Sequence, residues 1–293
     1  MRILLTGGSG QIGRELQPLL AGHTVIAPSH AECDLSDPDS VRNAVRSAEP
    51  DVIVNPGAYT AVDKAQQETD VAHAINAIAP GILAEEAKRR AIPLIHFSTD
   101  YVFDGNGTAP WREDHPVAPV NAYGRTKLDG ERAVEASGCA FVILRTAWVY
   151  ARHGKNFLLT VERLARERPR LTIVADQRGT PNWARDLARA AASIALRASE
   201  LSERRGVYHL SSGGETTWHG FATAIVDGMA LPKPPEVVAI TTADFPTPAK
   251  RPAYSVLSTE KLERTFGIVL PHWSDSLKSC QASEHLPRTG LPP

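Results

Sequence analysis

A glycine-rich turn set directly behind a short apolar run constrains this chain more than any other feature. Arg2–Thr6 reads RILLT, and Thr6-Gly7-Gly8-Ser9-Gly10-Gln11-Ile12-Gly13 continues it without a break. Gly7, Gly10 and Gly13 have the spacing GxxGxxG. Between a strand and a helix, one such glycine permits a tight turn at positive φ. Another lets the backbone approach a pyrophosphate, and a third lets helix and strand pack closely. A helix opening near Gln11 aims free N–H groups and the positive end of its dipole at the phosphates.

The first half of the chain supplies a sheet for such a turn. Val- and Ile-rich runs recur at Thr24–Ala27, Asp51–Asn55, Leu94–Ser98 and Phe141–Arg145. Stretches with helical spacing separate them at Gln11–Leu20, Pro38–Ala48, Asp70–Arg90 and Tyr123–Glu135. Near-continuous apolar strands are buried on both faces, and strands alternating with helices close as right-handed crossovers. The expected class is α/β, a Rossmann-like doubly wound parallel sheet, with residues 1–150 as a dinucleotide-binding domain. The second half reads differently. Asn156–Glu167 and Ala184–Arg197 have helical spacing and Val207–Leu210 reads as a strand, with the helix near 184–197 expected to join the sheet. Pro232, Pro234, Pro235, Pro246, Pro248 and Pro252 then block long helices and interior strands. Residues 151–278 are therefore expected to form, for the most part, a smaller, loop-rich C-terminal substrate lobe. Residues 279–293, without a period and rich in Gly and Pro at the end, are expected to be a poorly ordered tail.

Composition removes several alternatives. With 42% hydrophobic and 22% charged residues in 293, the chain is in the globular range. Its 32 basic and 33 acidic residues nearly cancel, which argues against a nucleic-acid partner. No run reaches the ~18 apolar residues of a membrane span, and the N-terminus lacks the apolar core of a signal peptide. Cys33, Cys139 and Cys280 are far apart, with no CxxC, so neither a disulfide framework nor a structural zinc site is expected. No metal ligand set stands out. The expected setting is cytoplasmic.

Two further features carry chemistry. Tyr123-Gly124-Arg125-Thr126-Lys127 places a phenol and an ammonium one helical turn apart. An isolated tyrosine titrates near ~10. An adjacent cation lowers that value, and the same ammonium can bond a nicotinamide ribose, so the pair can protonate a carbonyl oxygen as hydride reaches its carbon. Thr99 ends the fourth apolar run, at the sheet edge where ligands bind in such folds, and presents a hydroxyl beside Tyr123. After the second run the sequence reads Ala27-Pro28-Ser29-His30, without the acid that binds a ribose 2′-hydroxyl. Ser29, His30 and Arg14 are compatible with a 2′-phosphate, so NADPH is favoured slightly over NADH. Asp34 reads either as an adenine-side contact or as a helix cap before Pro38. Arg251 offers a guanidinium fork suited to phosphate oxygens, or is a surface arginine.

With the glycine turn, Ser98-Thr99-Asp100 and YxxxK in this order, the chain resembles the extended short-chain dehydrogenase/reductases. Over roughly residues 1–275 it is similar to the dTDP-4-dehydrorhamnose reductase family. The phrases that carry this include Ala58-Tyr59-Thr60-Ala61-Val62-Asp63, Ser98-Thr99-Asp100-Tyr101-Val102-Phe103-Asp104-Gly105 and Leu144-Arg145-Thr146-Ala147-Trp148-Val149-Tyr150. Gly154-Lys155-Asn156-Phe157, Asp176-Gln177-Arg178-Gly179-Thr180-Pro181 and Lys250-Arg251-Pro252 belong to the same set. The resemblance implies reduction of the C4 ketone of dTDP-4-dehydro-L-rhamnose, the last step of dTDP-rhamnose biosynthesis. It implies Tyr123 as proton donor, Lys127 as its partner and Thr99 as a hydrogen bond to the ketone oxygen. Gly10, Gln11 and Ile12 are then the pyrophosphate turn, Asp34 and Leu35 the adenine contact, and Ala58, Tyr59 and Thr60 a wall of the cofactor site. Thr99, Asp100, Trp148, Asn156 and Arg251 fall to the substrate. The family sometimes carries magnesium at a dimer interface, and homodimers are common on the scaffold; the sequence places neither. At two points the chain departs from the family pattern: Pro56-Gly57 replaces small alanines, and Asn182-Trp183 follows Pro181 where a hydroxyl residue is more usual. Other occupants of the scaffold are a different 4-ketoreductase, a 4-epimerase, or a non-catalytic subunit such as the regulatory subunit of methionine adenosyltransferase.

Overall fold

The computed structural model describes residues 1–283. Six parallel strands form the central sheet. They are β1 (Arg2–Leu5), β2 (Thr24–Ile26), β3 (Val52–Asn55), β4 (Pro93–Thr99), β5 (Ala140–Thr146) and the strand Gly206–His209. β1 pairs with β2 on one side and β3 on the other, and the sheet continues through β4 and β5 to Gly206–His209. The chain reverses direction across the sheet between β1 and β3, and ligands bind at that switch point in such folds. The glycine turn lies there.

Alternate residues of each strand enter opposite cores, as a period of two requires. Ile3, Leu5, Val54, Ile95 and Leu144 pack on one face against α1 (Gln11–Leu19) and the alanine-rich α7 (Ala184–Ala195). Leu4, Ile53, Leu94 and Ile143 pack on the other, against α2 (Pro38–Ala48), α4 (Ala79–Arg90) and α5 (Ala122–Ser137). Helix starts follow local chemistry. Asp37 caps α2 ahead of Pro38 by accepting from the Asp39 N–H at 2.9 Å. A short α3 (Thr69–His73) runs through a π-turn, Ala74–Ile78, into α4.

A second apolar cluster lies beyond the sheet. Tyr150, Leu158, Trp183, Phe221, Ile225 and Leu277 gather α6 (Phe157–Glu167) with the helices Trp218–Gly228 and Trp273–Ala282. The proline-dense stretch contains a strand the sequence reading does not foresee: Glu236–Ile240 pairs in parallel with Arg170–Val174. It fits between Pro235 and Pro246 and has a single partner strand, which is where prolines nearby are tolerated. Part of the expected tail is helical. Ser279–Ala282 complete a helix anchored by buried Leu277 and Cys280, and the rest of the expected tail, from residue 284, lies outside the described residues. Among the described residues no helix is long and apolar enough to cross a membrane.

Candidate active site

Close backbone contacts explain the glycines of the turn. Gly7 has φ +63°, and a Cβ on it would fall 2.6 Å from Gly57 Cα. One on Gly13 would fall 2.3 Å from the Gly7 carbonyl oxygen. The Pro56-Gly57 departure thus sits against the turn itself. Gly10 precedes α1 and supplies no side-chain cap, so the first N–H groups of the helix have no side-chain partner there. They open on a groove of about 560 Å³ whose wall includes Gly10, Gln11, Ile12 and Gly13. Asp34, Leu35, Ala58 and Thr60 complete it. A dinucleotide fits such a groove, with anion donors at one end and the apolar Leu35 wall further along.

Three expectations change here. Asp34 is not a helix cap, since Asp37 fills that place; its Oδ1 accepts from Ser36 N (2.8 Å) and Ser36 Oγ (2.7 Å) on the groove wall. Ser29 is not free for a 2′-phosphate. Its N–H and hydroxyl both donate to Glu32 Oε2 at 2.8 Å, so an acid does follow β2, but it is turned onto Ser29. His30 stands on the groove wall, and Arg14 donates from Nε to the Ser9 carbonyl at 3.0 Å. Tyr59, third, does not line the groove. Its phenol donates to Glu68, and its N–H donates to Asn76 Oδ1 at 2.9 Å. Asn76, fully buried in the π-turn, returns both amide hydrogens to the Tyr59 carbonyl and Thr126 Oγ1 at 3.1 Å each. This clamp, which joins the loop after β3 to α5, is absent from the sequence reading. A lone Asn in an alanine-rich helix carries no spacing signal.

Asn121 caps α5, accepting from the Gly124 N–H at 2.8 Å. A Cβ on Gly124 would sit 2.2 Å from the Tyr101 carbonyl oxygen, so the first turn of α5 lies hard against the end of β4. The Tyr123 and Tyr101 rings meet edge-on, 5.7 Å apart. Burial pushes the Tyr123 phenol up to about 12; the Thr99 hydroxyl pulls it back and the Asp100 carboxylate pushes it further. The expected lowering by Lys127 is not found. Lys127 is 1% exposed and turns inward, donating from Nζ to the Phe97 carbonyl at 2.6 Å, with His96 Nε2 at 3.3 Å. Burial lowers the Lys127 amine to about 8 against the opposing pull of Glu131. Thr99 Oγ1 donates to Asp100 Oδ1 at 2.9 Å and accepts from the Tyr101 N–H at 3.2 Å. Burial raises Asp100 to about 7 despite the nearby Ser255 hydroxyl and the hydrogen bond from Thr99. Its Oδ2 has no partner among the described residues.

The substrate candidates separate. Trp148 has φ +42° and stacks on Trp218, with ring centroids 3.6 Å apart. A Cβ on Gly179 would come within 2.6 Å of its ring, so glycine is needed beneath it. A second cavity of about 290 Å³ is lined by Asp63, Tyr101, Trp218 and Arg251. Arg251 is no surface residue. It is 17% exposed, and Nη2 donates to Asp63 Oδ2 at 2.8 Å. Its Nη1 is buried with no partner among the described residues. Asn156 is committed elsewhere: Nδ2 donates to Gln11 Oε1 and the Ala151 carbonyl at 2.9 Å each, while Oδ1 caps α6. It ties α6 to the glycine turn. Trp183 is 4% exposed in the lobe's core under the Arg185 guanidinium, away from the cavity. Among the described residues no group of three or more His, Cys, Asp or Glu could hold a metal ion.

Residues 1–285 match the family model of the RmlD substrate binding domain. A dTDP-4-dehydrorhamnose reductase of Burkholderia thailandensis is 46% identical, over 96% of this chain and 98% of that one. A solved dTDP-4-dehydrorhamnose reductase from Clostridium acetobutylicum superposes with a TM-score of 0.89 at 39% identity, over 96% of this chain and 98% of that one. Another, from Bacillus anthracis and in complex with NADP, gives 0.88 at 32% identity, over 95% and 98%. Glycine turn, Thr99 and YxxxK thus occur in a chain similar to these enzymes along nearly its whole length, and the chain belongs to the dTDP-4-dehydrorhamnose reductase family.

Proposed function

We propose that this protein is an NAD(P)H-dependent oxidoreductase that reduces the C4 ketone of dTDP-4-dehydro-L-rhamnose to dTDP-L-rhamnose, the last step of dTDP-rhamnose biosynthesis. One observation supports the reading: Tyr123 against the Thr99 hydroxyl and Lys127 on the Phe97 carbonyl bring α5 onto the end of β4, in a molecule that also holds a dinucleotide-sized groove and a cavity with a half-paired arginine. Residues 1–150, buttressed by α7, hold the cofactor, and the lobe formed by most of 151–278 holds the sugar nucleotide.

The reduced nicotinamide supplies the hydride when bound. The N–H groups of Gln11, Ile12 and Gly13 would hold its pyrophosphate, and Lys127 would meet its ribose hydroxyls. Tyr123, pushed up to about 12, is fully protonated at neutral pH and donates its proton to the sugar O4 as negative charge develops there. Thr99 and Asp100 fix that oxygen, and Trp218, stacked on Trp148, presents the indole that lines the sugar cavity. Arg251 turns its free Nη1 to the diphosphate. The products are an alcohol at C4, the oxidised cofactor and a phenolate that solvent reprotonates.

The test is to follow NADPH absorbance after adding the keto-sugar nucleotide. Wild type should consume cofactor in proportion to the sugar added. Tyr123→Phe should lower kcat about 10²–10⁴-fold with cofactor affinity kept. No consumption by wild type, or undiminished turnover in the variant, would contradict the assignment.

A further inference from the structure

Three buried side chains outside the reacting set connect the glycine turn to Lys127. Thr6 Oγ1 donates to Asn55 Oδ1 at 2.6 Å, and the Gly57 N–H donates to the same atom at 3.1 Å. A backbone N–H can only donate, so the accepting atom is the amide oxygen. Asn55 Nδ2 is then the atom 3.0 Å from His96 Nδ1. An amide nitrogen also only donates, so Nδ1 must accept and carries no proton. His96 is fully buried, and burial holds it well below the usual histidine range. The neutral ring has a single N–H, which the network places on Nε2. Nε2 faces Lys127 Nζ at 3.3 Å. An ammonium has three donors and no acceptor, so it would meet this N–H donor to donor. A free amine accepts from Nε2–H through its lone pair and still donates to the Phe97 carbonyl at 2.6 Å.

We infer that His96 is a positioning residue that holds Lys127 as a neutral amine against β4, and that dinucleotide binding draws the amine out as an ammonium with uptake of one proton. The inference rests on reading the groove as the dinucleotide site and Lys127 as the partner of the ribose hydroxyls. The proton comes from solvent, forms a bond to the Nζ lone pair and breaks no other bond in the protein. Charged and titratable groups face Lys127 from each side. His96 comes from β4, with Asn55 of β3 behind it. Tyr123 lies one turn before it on α5, and Glu131 one turn after, held by Arg145 of β5 at 2.6 and 2.9 Å. Glu131 favours the charged amine and burial the neutral one; their balance near 8 leaves both forms within reach.

Two measurements decide it. First, ¹⁵N spectra of the cofactor-free protein, with His96 assigned by its loss in His96→Gln, should show the neutral Nε2–H form at about pH 8 and above, where the amine is neutral. An Nδ1–H form or an imidazolium overturns the inference. Second, the proton taken up on binding is read by calorimetry in buffers of different ionisation enthalpy. NADH is the probe, because the 2′-phosphate of NADPH itself titrates near neutral pH. At about pH 8, wild type should take up roughly half a proton per site or more. His96→Gln offers the amine an oxygen acceptor and should bring uptake close to zero, flattening the pH dependence of Kd. Asn55→Asp, which accepts from Nδ1–H and so reverses the ring's polarity, should do the same with the imidazole kept. Binding without proton uptake in wild type, or uptake unchanged in both variants, overturns the inference. Absence of any NADH binding defeats the groove reading and the release step with it, and the tautomer spectrum alone then decides whether His96 holds the amine.

Discussion

Burial pushes Tyr123 and Asp100 away from their charged forms, the phenol to about 12 and the carboxyl to about 7. For a proton donor the first shift is useful, because the proton is still in place at neutral pH. The second has a consequence for stability. The folded value of Asp100 lies above the ordinary aspartate value of 3.8, so across that interval the folded state keeps a proton the unfolded chain has lost. The contribution of Asp100 to stability is then fully present below about pH 4 and is lost as pH rises through about 7. Asp100→Asn removes this decline. In urea melts the variant should gain on wild type between about pH 4 and 8, by up to ~4 kcal/mol; a constant difference would contradict the cause given. Spacing makes some residues legible: Tyr123 and Lys127 lie four apart, and Thr99 ends an apolar run. Asn55, His96 and Asn76 are not legible, because each is an ordinary polar residue whose meaning comes from partners far along the chain. Asn156 and Tyr59 show the converse, since a motif match gave no sign that their polar groups are already used.

Among the elements, strand and helix positions in the first half follow closely from apolar periodicity, because each parallel strand is buried on both faces and each crossover helix on one. The π-turn Ala74–Ile78 has no such signature; it is set by Asn76 and by Gly130, whose Cβ would lie 2.0 Å from the Asn76 carbonyl oxygen. The strand Glu236–Ile240 is obscured by the prolines on either side. The join between β1 and α1 is the most demanding of these elements. Gly13→Ala puts a methyl against the Gly7 carbonyl and the Gly8 backbone, neither of which is a flexible side-chain end. It should cost about 1–3 kcal/mol in thermal or urea melts and weaken cofactor binding more than tenfold in a titration. Unchanged affinity would show that the turn does not hold the pyrophosphate.

In the whole molecule, the order of the strands brings the site together. The reversal between β1 and β3 opens the groove, and β4 delivers Thr99 beside α5. The chain then returns from the lobe to set Arg251 on Asp63, which lies after β3. Arg251 is thus a link between distant segments, and under the proposed function it is a phosphate ligand as well. Arg251→Met should raise KM for the sugar nucleotide about 10–100-fold, with a much smaller change in kcat and none in cofactor affinity. Equal losses in KM and kcat would point to collapse of the cavity instead. The most direct test of the whole account uses cofactor deuterated at the transferring position of the nicotinamide ring. After turnover, the deuterium should be found at C4 of the deoxysugar, one atom per cofactor oxidised. Unlabelled sugar, or an inverted C4 centre with no net oxidation of cofactor, would contradict it.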